Sequence, residues 1–259
     1  MFKQNEIELN EEKHTYTVKG AEHLKFTSAT TFIGDHFKPF NAEEIAKDLI
    51  KKYDKYKNKT PEQILNGWNH IAQLGTEVHK EIEDWIILWS KMSEDDYEPI
   101  HNKSRHGILW LQENLSRKYE VFPEVKLFSI KLQLAGTVDL IIRDPESGLF
   151  VMVDWKTNKK ITNRAYMGQK GTHYATRFLE DHKLNKYALQ MSLYTYLLEK
   201  YYGIKIHKRL LIHLRPNQTA YYPLGIKEYE TEYLKPNIIK MVEERLRKKE
   251  NNELFRQYS

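Results

Sequence analysis

An aspartate and a lysine two residues apart close an apolar run, Val153-Asp154-Trp155-Lys156-Thr157. In a strand, successive side chains alternate between faces, so Asp154 and Lys156 share one face with Met152 and Phe150. A carboxylate and an ammonium buried there are costly unless they pair or bind something. By themselves they read as an ordinary ion pair. The run before them, Ala135-Gly136-Thr137-Val138-Asp139-Leu140-Ile141-Ile142, holds a single charge, Asp139. A short turn, Asp144-Pro145-Glu146-Ser147-Gly148, joins the two runs, which brings both aspartates toward one end of a sheet. Two carboxylates in close approach repel, and a hard divalent cation resolves the conflict.

Two further pieces lie on helical patterns. Gly75 and His79 are one turn apart on the same side of a long amphipathic stretch. Glycine inside a helix costs about 1 kcal/mol relative to alanine. Close approach of another backbone would justify it and would bring His79 against the sheet. Tyr187, Gln190 and Tyr194 are spaced i, i+3, i+7, a polar-aromatic stripe on one helix face. Taken singly, His79 reads as a satisfied core or surface histidine and Gln190 and Tyr194 as helix surface. The His79 and Glu83 pair lacks the third ligand of a His-Glu-x-x-His zinc site.

Taken in order, these residues carry a resemblance. Gly75-x-x-x-His79, Gly136-x-x-Asp139, Asp154-x-Lys156-Thr157 and Gln190-x-x-x-Tyr194 resemble the RecB-type branch of the PD-(D/E)XK nuclease superfamily, over about residues 75 to 215. The Thr/Ser-rich segment 27–33 is similar to one in the mitochondrial genome maintenance exonuclease and related phage exonucleases. The resemblance implies a restriction-endonuclease-like α/β core, a mixed central sheet flanked by helices. It implies that Asp139, Asp154 and the carbonyl of Trp155 bind Mg²⁺ or Mn²⁺, with His79 a further ligand or the holder of a water on the metal. Lys156 would orient or help deprotonate the attacking water and offset charge on the phosphate. Gln190 and Tyr194 would position Lys156 or contact the DNA backbone. Metal-assisted hydrolysis needs no serine or cysteine nucleophile. Glu124, in Phe122-Pro123-Glu124-Val125, is an additional carboxylate for which surface exposure is an equal reading.

Several other outcomes are excluded by composition. The 259 residues contain no cysteine, so disulfides, thiolate zinc sites and a cysteine nucleophile are out. So is the cysteine-ligated iron–sulfur cluster that several RecB-type relatives carry. The N-terminus shows no apolar signal-peptide core, and no apolar run approaches the roughly 18 residues of a membrane span. A soluble intracellular protein is expected, with no membrane partner. High lysine, asparagine and tyrosine suggest an AT-rich bacterial or phage genome.

The net charge of +5 is mild, yet unevenly placed. From Lys156 to Lys186, eight cations face only Glu180 and Asp181, a local balance of +6 that leaves the remainder at −1. Tyr166, His173, Tyr174 and Phe178 are interleaved. A charge run is often a solvated loop, but a long structureless connection inside a domain is usually functional. Cations with aromatics suit single-stranded nucleic acid. Lys159, Lys160, Arg164 and Lys170 are the expected DNA contacts, on a flap or arch over the entering strand, with Tyr194 a further contact.

The elements that must position these groups follow from periodicity. Residues 7–18 read as a short antiparallel pair. The segment 26–33 starts a helix, and Asn41 caps another, with Glu43 and Glu44 in its first turn. Residues 61–92 carry a helical stripe of Ile64, Trp68, Ile71, Val78, Ile82, Trp85 and Trp89, read as core rather than a base-stacking platform. A second helix covers 101–118. Strands at 121–130, 133–142 and 149–156 form a meander. A helix over 184–202 ends at Gly203, strands at 207–214 and 218–223 pair, and a helix covers 228–250. The expectation is one nuclease domain over 1–259: a mainly helical N-terminal elaboration over 1–119, then the core over 120–259.

The expected activity is a metal-dependent DNA exonuclease favouring single strands or strand ends, with replication or recombination proteins as partners. A structure-specific or duplex-end nuclease with the same site is the alternative, as is a nucleic-acid-binding module whose site has decayed. Polarity and oligomeric state are open.

Overall fold

The computed structural model describes residues 1–10, 12–13, 15–93, 96–215 and 226–257. An antiparallel pair, β1 (Ile7–Asn10) and β2 (Thr15–Val18), sets Ile7 opposite Val18. A two-residue strand, β3 (Thr27–Ser28), runs into α1 (Ala29–Gly34), where Ser28 Oγ accepts from the Thr31 N–H. Asn41 caps α2 (Ala42–Lys52) by accepting from the Glu44 N–H, as its position predicts. The long helix α3 (Pro61–Ser90) starts on a reciprocal capping box between Thr60 and Gln63, with Pro61 in the first turn. The next helix, α4 (Asn102–Asn114), stops four residues before the predicted end. There the Asn114 side chain donates to the Trp110 carbonyl and Leu115 turns extended.

The strands β4 (Glu120–Ser129), β5 (Leu134–Arg143) and β6 (Phe150–Lys156) form the meander. The helix α5 (Lys183–Leu197) then crosses over to β7 (Ile206–Leu214), which lies parallel to β6. Its last turn, Leu198–Tyr202, is widened to π geometry and ends at Gly203, whose φ of 67° is the left-handed stop expected of a glycine. The strand β8 (Ile226–Glu230) pairs antiparallel with β7. The predicted strand at 218–223 lies outside the described residues. The predicted helix at 228–250 begins instead at Lys235, as α6 (Lys235–Gln257). Residues 226–230 are committed to the β7 ladder, and Pro236 suits a first helical turn.

The central sheet runs β4-β5-β6-β7-β8, with β3 beside the first residues of β5. One face packs on α1, α5 and α6 through Phe32, Leu189, Leu193, Ile238 and Met241. The other packs on α3 and α4 through Ile82, Trp85, Ile108 and Leu111. The alternation of β6 assigns its residues: Met152 joins the first core, Val153 and Trp155 the second. Within residues 1–119, α3 and α4 cover one side of the sheet and β3 extends it. The helical stripe is only partly core. Trp85 and Trp89 are buried, whereas Trp68 is half-buried and Ile71 is 57% exposed, because the first half of α3 runs beyond the sheet.

A split in the sheet creates the site. On one edge of β5, β4 pairs along the strand from Arg143 to Leu134. The other edge is shared: β3 takes Leu134 and Ala135, and β6 takes Leu140 to Arg143. Residues 136–139 have no ladder partner on that edge. There β5 and β6 part, and Asp139 lies at the fork.

Candidate active site

The fork lets both layers of helices contribute. Asp139 Oδ2 accepts from the Trp155 N–H at 2.7 Å, replacing the ladder partner that β6 lacks there. A strand residue's N–H and carbonyl leave on the same edge, so the Trp155 carbonyl also faces the fork. From α3, His79 Nδ1 stands 3.4 Å from the same Asp139 oxygen. Gly75, one turn earlier, makes this approach feasible: a Cβ there would stand 2.9 Å from Thr157 Oγ1. The close neighbour is therefore a side-chain hydroxyl, not the backbone expected.

Glu124 belongs to the site. The β4–β5 register pairs Pro123 with Leu140 and Val125 with Val138, so Glu124 lies opposite Asp139 where that ladder is interrupted. Its φ of 47° is left-handed, a strained conformation for a residue with a Cβ. Among the described residues, His79, Glu124 and Asp139 each offer a ligand atom within 4.8 Å of the others.

Asp154 and Lys156 face the α5 layer, as alternation requires. Their charged atoms are 2.5 Å apart, and the Asp154 side chain is 3% exposed. Asp154 Oδ1 is buried without a hydrogen-bond partner. The Lys156 ammonium lies 4.7 Å from the centre of the Tyr187 ring, a cation–π contact. The Tyr187 hydroxyl donates to Asn158 Oδ1 at 2.5 Å. Asn158 and the role of Tyr187 were not evident in the sequence, although Tyr187 stood on the predicted stripe. Lys103 on α4, also unforeseen, donates to the Thr157 carbonyl at 2.7 Å.

Gln190 and Tyr194 act behind this front. Gln190 Nε2 donates to the Tyr194 hydroxyl at 3.0 Å. Tyr194 is 3% exposed and packs over Gly136, where a Cβ would meet its ring at 2.6 Å. Tyr194 is therefore not a surface contact for DNA. The glycine of the Gly136-x-x-Asp139 motif leaves space for that ring, and the packing supports β5 just before the fork.

The charges compete as crowded groups in a poorly hydrated cleft should. Burial, reinforced by Asp139, pushes Glu124 up to about 8. Burial also raises Asp154 to about 6, with Asp139 adding to it and Lys156 opposing. Asp139 ends below its ordinary value: burial works against its charge but is outweighed by His79, Lys156 and the Trp155 N–H. His79 and Lys156 end above theirs, because the aspartates outweigh the cost of burial. Three carboxyl groups thus share the fork with two cationic side chains, and Glu124 is the one that keeps its proton.

The donor set is oxygen and imidazole, and an orphaned buried carboxylate oxygen lies beside it. That set fits a hard divalent cation. Residues 55–258 match the family described as the PD-(D/E)XK nuclease superfamily, a span that holds every residue of the fork. The chain belongs to the PD-(D/E)XK nuclease superfamily. Membership implies metal-dependent nuclease chemistry, and the mixed sheet between helical layers is the fold expected of it. No curated protein matches the chain. Among solved structures, the crystal structure of SSO0001 aligns with 65% of this chain and 73% of its own, at 17% identity and a TM-score of 0.29. It is too distant for any feature to be carried over.

The basic segment after β6 is more ordered than the expected flap. The backbones of Lys170 and Glu180 pair in a single antiparallel bridge, Gly171 N–H donates to the Leu179 carbonyl, and Asp181 N–H donates to the Gln169 carbonyl. The His36 carbonyl after α1 accepts from the Thr172 N–H and the Thr176 hydroxyl, and Asn237 of α6 donates to the Ala175 carbonyl. Lys159, Lys160, Arg164 and Lys170 are exposed, as are Tyr166, Tyr174 and Phe178. Among the described residues, no helix is long and apolar enough to cross a membrane.

Proposed function

We propose that this PD-(D/E)XK nuclease is a DNA exonuclease of the RecB type, acting on single strands or strand ends during replication, repair or recombination. The observation that carries the reading is the path out of the site. From Lys156 the chain continues into a segment that exposes four cations, Lys159, Lys160, Arg164 and Lys170, among exposed aromatics. Cations neutralise a phosphate backbone, and aromatic faces accept unstacked bases that a duplex does not offer.

Asp139, Asp154, His79, Glu124 and the Trp155 carbonyl are the groups to hold Mg²⁺ or Mn²⁺. Such an ion lowers the pKa of a water and neutralises charge on the phosphate. The remaining work falls to the chain. His79 holds Asp139 ionised at the fork. Lys156, restrained between Asp154 and the Tyr187 face, points an ammonium at the reacting phosphate and offsets its developing charge. Tyr194 and Gln190 support the strand that presents Asp139.

The test uses end-labelled single-stranded, duplex and circular DNA, with 5′ or 3′ blocks, in Mg²⁺ or Mn²⁺. Shortening of linear single strands from one end, with circles intact, is expected. Asp154→Ala and Lys156→Ala should abolish it, as should excess EDTA. Cleavage of circles would make the enzyme an endonuclease. Preference for blunt duplex would favour the duplex-end alternative. DNA that survives in every form would refute nuclease action.

A further inference from the structure

Trp68 is out of place for a core residue. It sits on the half of α3 that has run past the sheet, half-buried, with its ring 5.8 Å from that of Phe40. Phe40 is 70% exposed, and Ile71, next on that part of the helix, is open to solvent. The buried tryptophans of the same stripe, Trp85 and Trp89, stack on each other more than four turns away, in the second core.

Helix geometry ties Trp68 to the site. At 100° per residue, Trp68, Gly75 and His79 fall within about 40° of one another on α3. The rise puts Trp68 about 16 Å from His79 along the axis. The face that presents His79 to the fork and Gly75 to Thr157 therefore continues outward to Trp68. A strand whose phosphate lies at the fork and follows this face reaches Trp68 within a few nucleotides.

The charge around this face is right for such a strand. Residues 47–59, from α2 to the start of α3, hold six lysines against two aspartates. Lys47, Lys51, Lys52, Lys55, Lys57 and Lys59 are all exposed. Lys52, at the end of α2, lies within electrostatic reach of Tyr166, in the segment after β6. Exposed lysines on α2 and after it thus accompany an aromatic pair that is open on the Phe40 side, the combination that binds single strands by phosphate neutralisation and base stacking.

We propose that Trp68 and Phe40 form a stacking platform for a base of single-stranded DNA, a few nucleotides from the bond being cut. This rests on the nuclease reading above and adds a subsite to it. The platform gives the enzyme a reason to prefer single strands: a base in a duplex is already stacked on its neighbours and presents no face to Trp68.

The experiment measures binding of a fluorescent oligothymidylate in EDTA and cleavage in Mg²⁺ by the full chain. One base stack is worth about 1–3 kcal/mol, so Trp68→Ala should weaken binding roughly 5- to 150-fold. Trp68→Phe should restore most of it, and Phe40→Ala should fall between them. Oligonucleotides with one abasic position, moved along the strand, should show a single position that weakens wild-type binding and leaves Trp68→Ala unaffected. Hydrolysis of a small chromogenic phosphodiester, which does not reach the platform, should be unchanged in all three variants. Wild-type affinity in Trp68→Ala, or a loss that no abasic position reproduces, overturns the platform. Equal loss on the small substrate would mean that Trp68 is structural, and also overturns it. If the wild type itself neither binds nor cuts DNA, the nuclease reading fails first.

Discussion

Across the fork where β5 and β6 have stopped pairing, the Trp155 N–H donates to Asp139 Oδ2 at 2.7 Å. One carboxylate thus completes the hydrogen bonding of a parted strand and faces the candidate metal ligands. Asp139→Asn keeps an oxygen to accept that N–H, so the fold should survive with a melting temperature close to wild type. The charge that holds His79 and attracts a cation is gone, and cleavage should fall by at least about 100-fold, the scale of losing one preorganised stabilising group. Thermal melts alongside nuclease assays check both halves; unfolding would show that Asp139 is mainly structural.

Without metal, the groups at the fork should contribute less stability as pH rises from about 5 to 8. Glu124 titrates at about 8 in the folded protein, against an ordinary value of 4.5. Between these values the folded state keeps a proton that the unfolded chain has released, so stability declines with pH. Asp154, raised to about 6, has the same sign over the lower part of that window. His79 is raised, so its contribution is full below its ordinary value and fades as pH climbs through the folded one. Asp139 has the opposite sign, but its effect lies below its ordinary 3.8. Melts in EDTA across this range should show the wild-type profile falling relative to that of Glu124→Gln as pH rises. Burial holds His36 and His106 below their ordinary value, which adds stability as pH rises, so the comparison of the two proteins is decisive: a Glu124→Gln profile parallel to wild type would contradict the assignment.

Replacing Lys159, Lys160, Arg164 and Lys170 together with alanine should weaken DNA binding and reduce its salt dependence. Every cation that neutralises a phosphate of a single strand adds about 0.7 to the slope of log K against log salt. Removing four such cations should therefore make the slope shallower by about 3. Binding isotherms at several salt concentrations read the slope directly. An unchanged slope would place the strand elsewhere. Because these side chains are exposed, stability should hardly move.

Gly136→Ala tests the packing behind the fork. The new methyl would stand 2.6 Å from the Tyr194 ring and 3.1 Å from the Ala29 Cβ. Overpacking of this kind costs typically about 1–3 kcal/mol. Tyr194→Phe should not relieve it, because the nearest atom belongs to the ring and not to the hydroxyl. Chemical denaturation measures the cost. A variant as stable as wild type would mean that Tyr194 has room to move.

Much of this was legible from local pattern. Asn41 marked the start of α2, the apolar period marked α3, alternation set Asp154 and Lys156 on one face, and the four motifs in order resembled a family with a known fold and chemistry. Caps and alternation depend on neighbours within a turn or a strand, so spacing carries them, whereas the fold and the chemistry came from what the resemblance of the four motifs implies. Local pattern also misled where it met a boundary. The apolar period of α3 runs unbroken through Trp68 and Ile71, but the sheet ends first, and burial depends on what lies opposite. Tyr194 looked equally able to face solvent until Gly136 was found beneath its ring.

By itself, then, the sequence determined the long helices and the three-strand meander, the order of the chemistry-bearing residues, the absence of thiol chemistry and the concentration of positive charge after Lys156. The tertiary structure decided where β5 and β6 part. That fork admits Glu124 to the site, brings His79 from one helical layer and Tyr187 from the other, and leaves Trp68 beyond the sheet. The physical reason is that ladder pairing and packing across a sheet join residues tens of positions apart, and the register that joins them is written in no single stretch of chain.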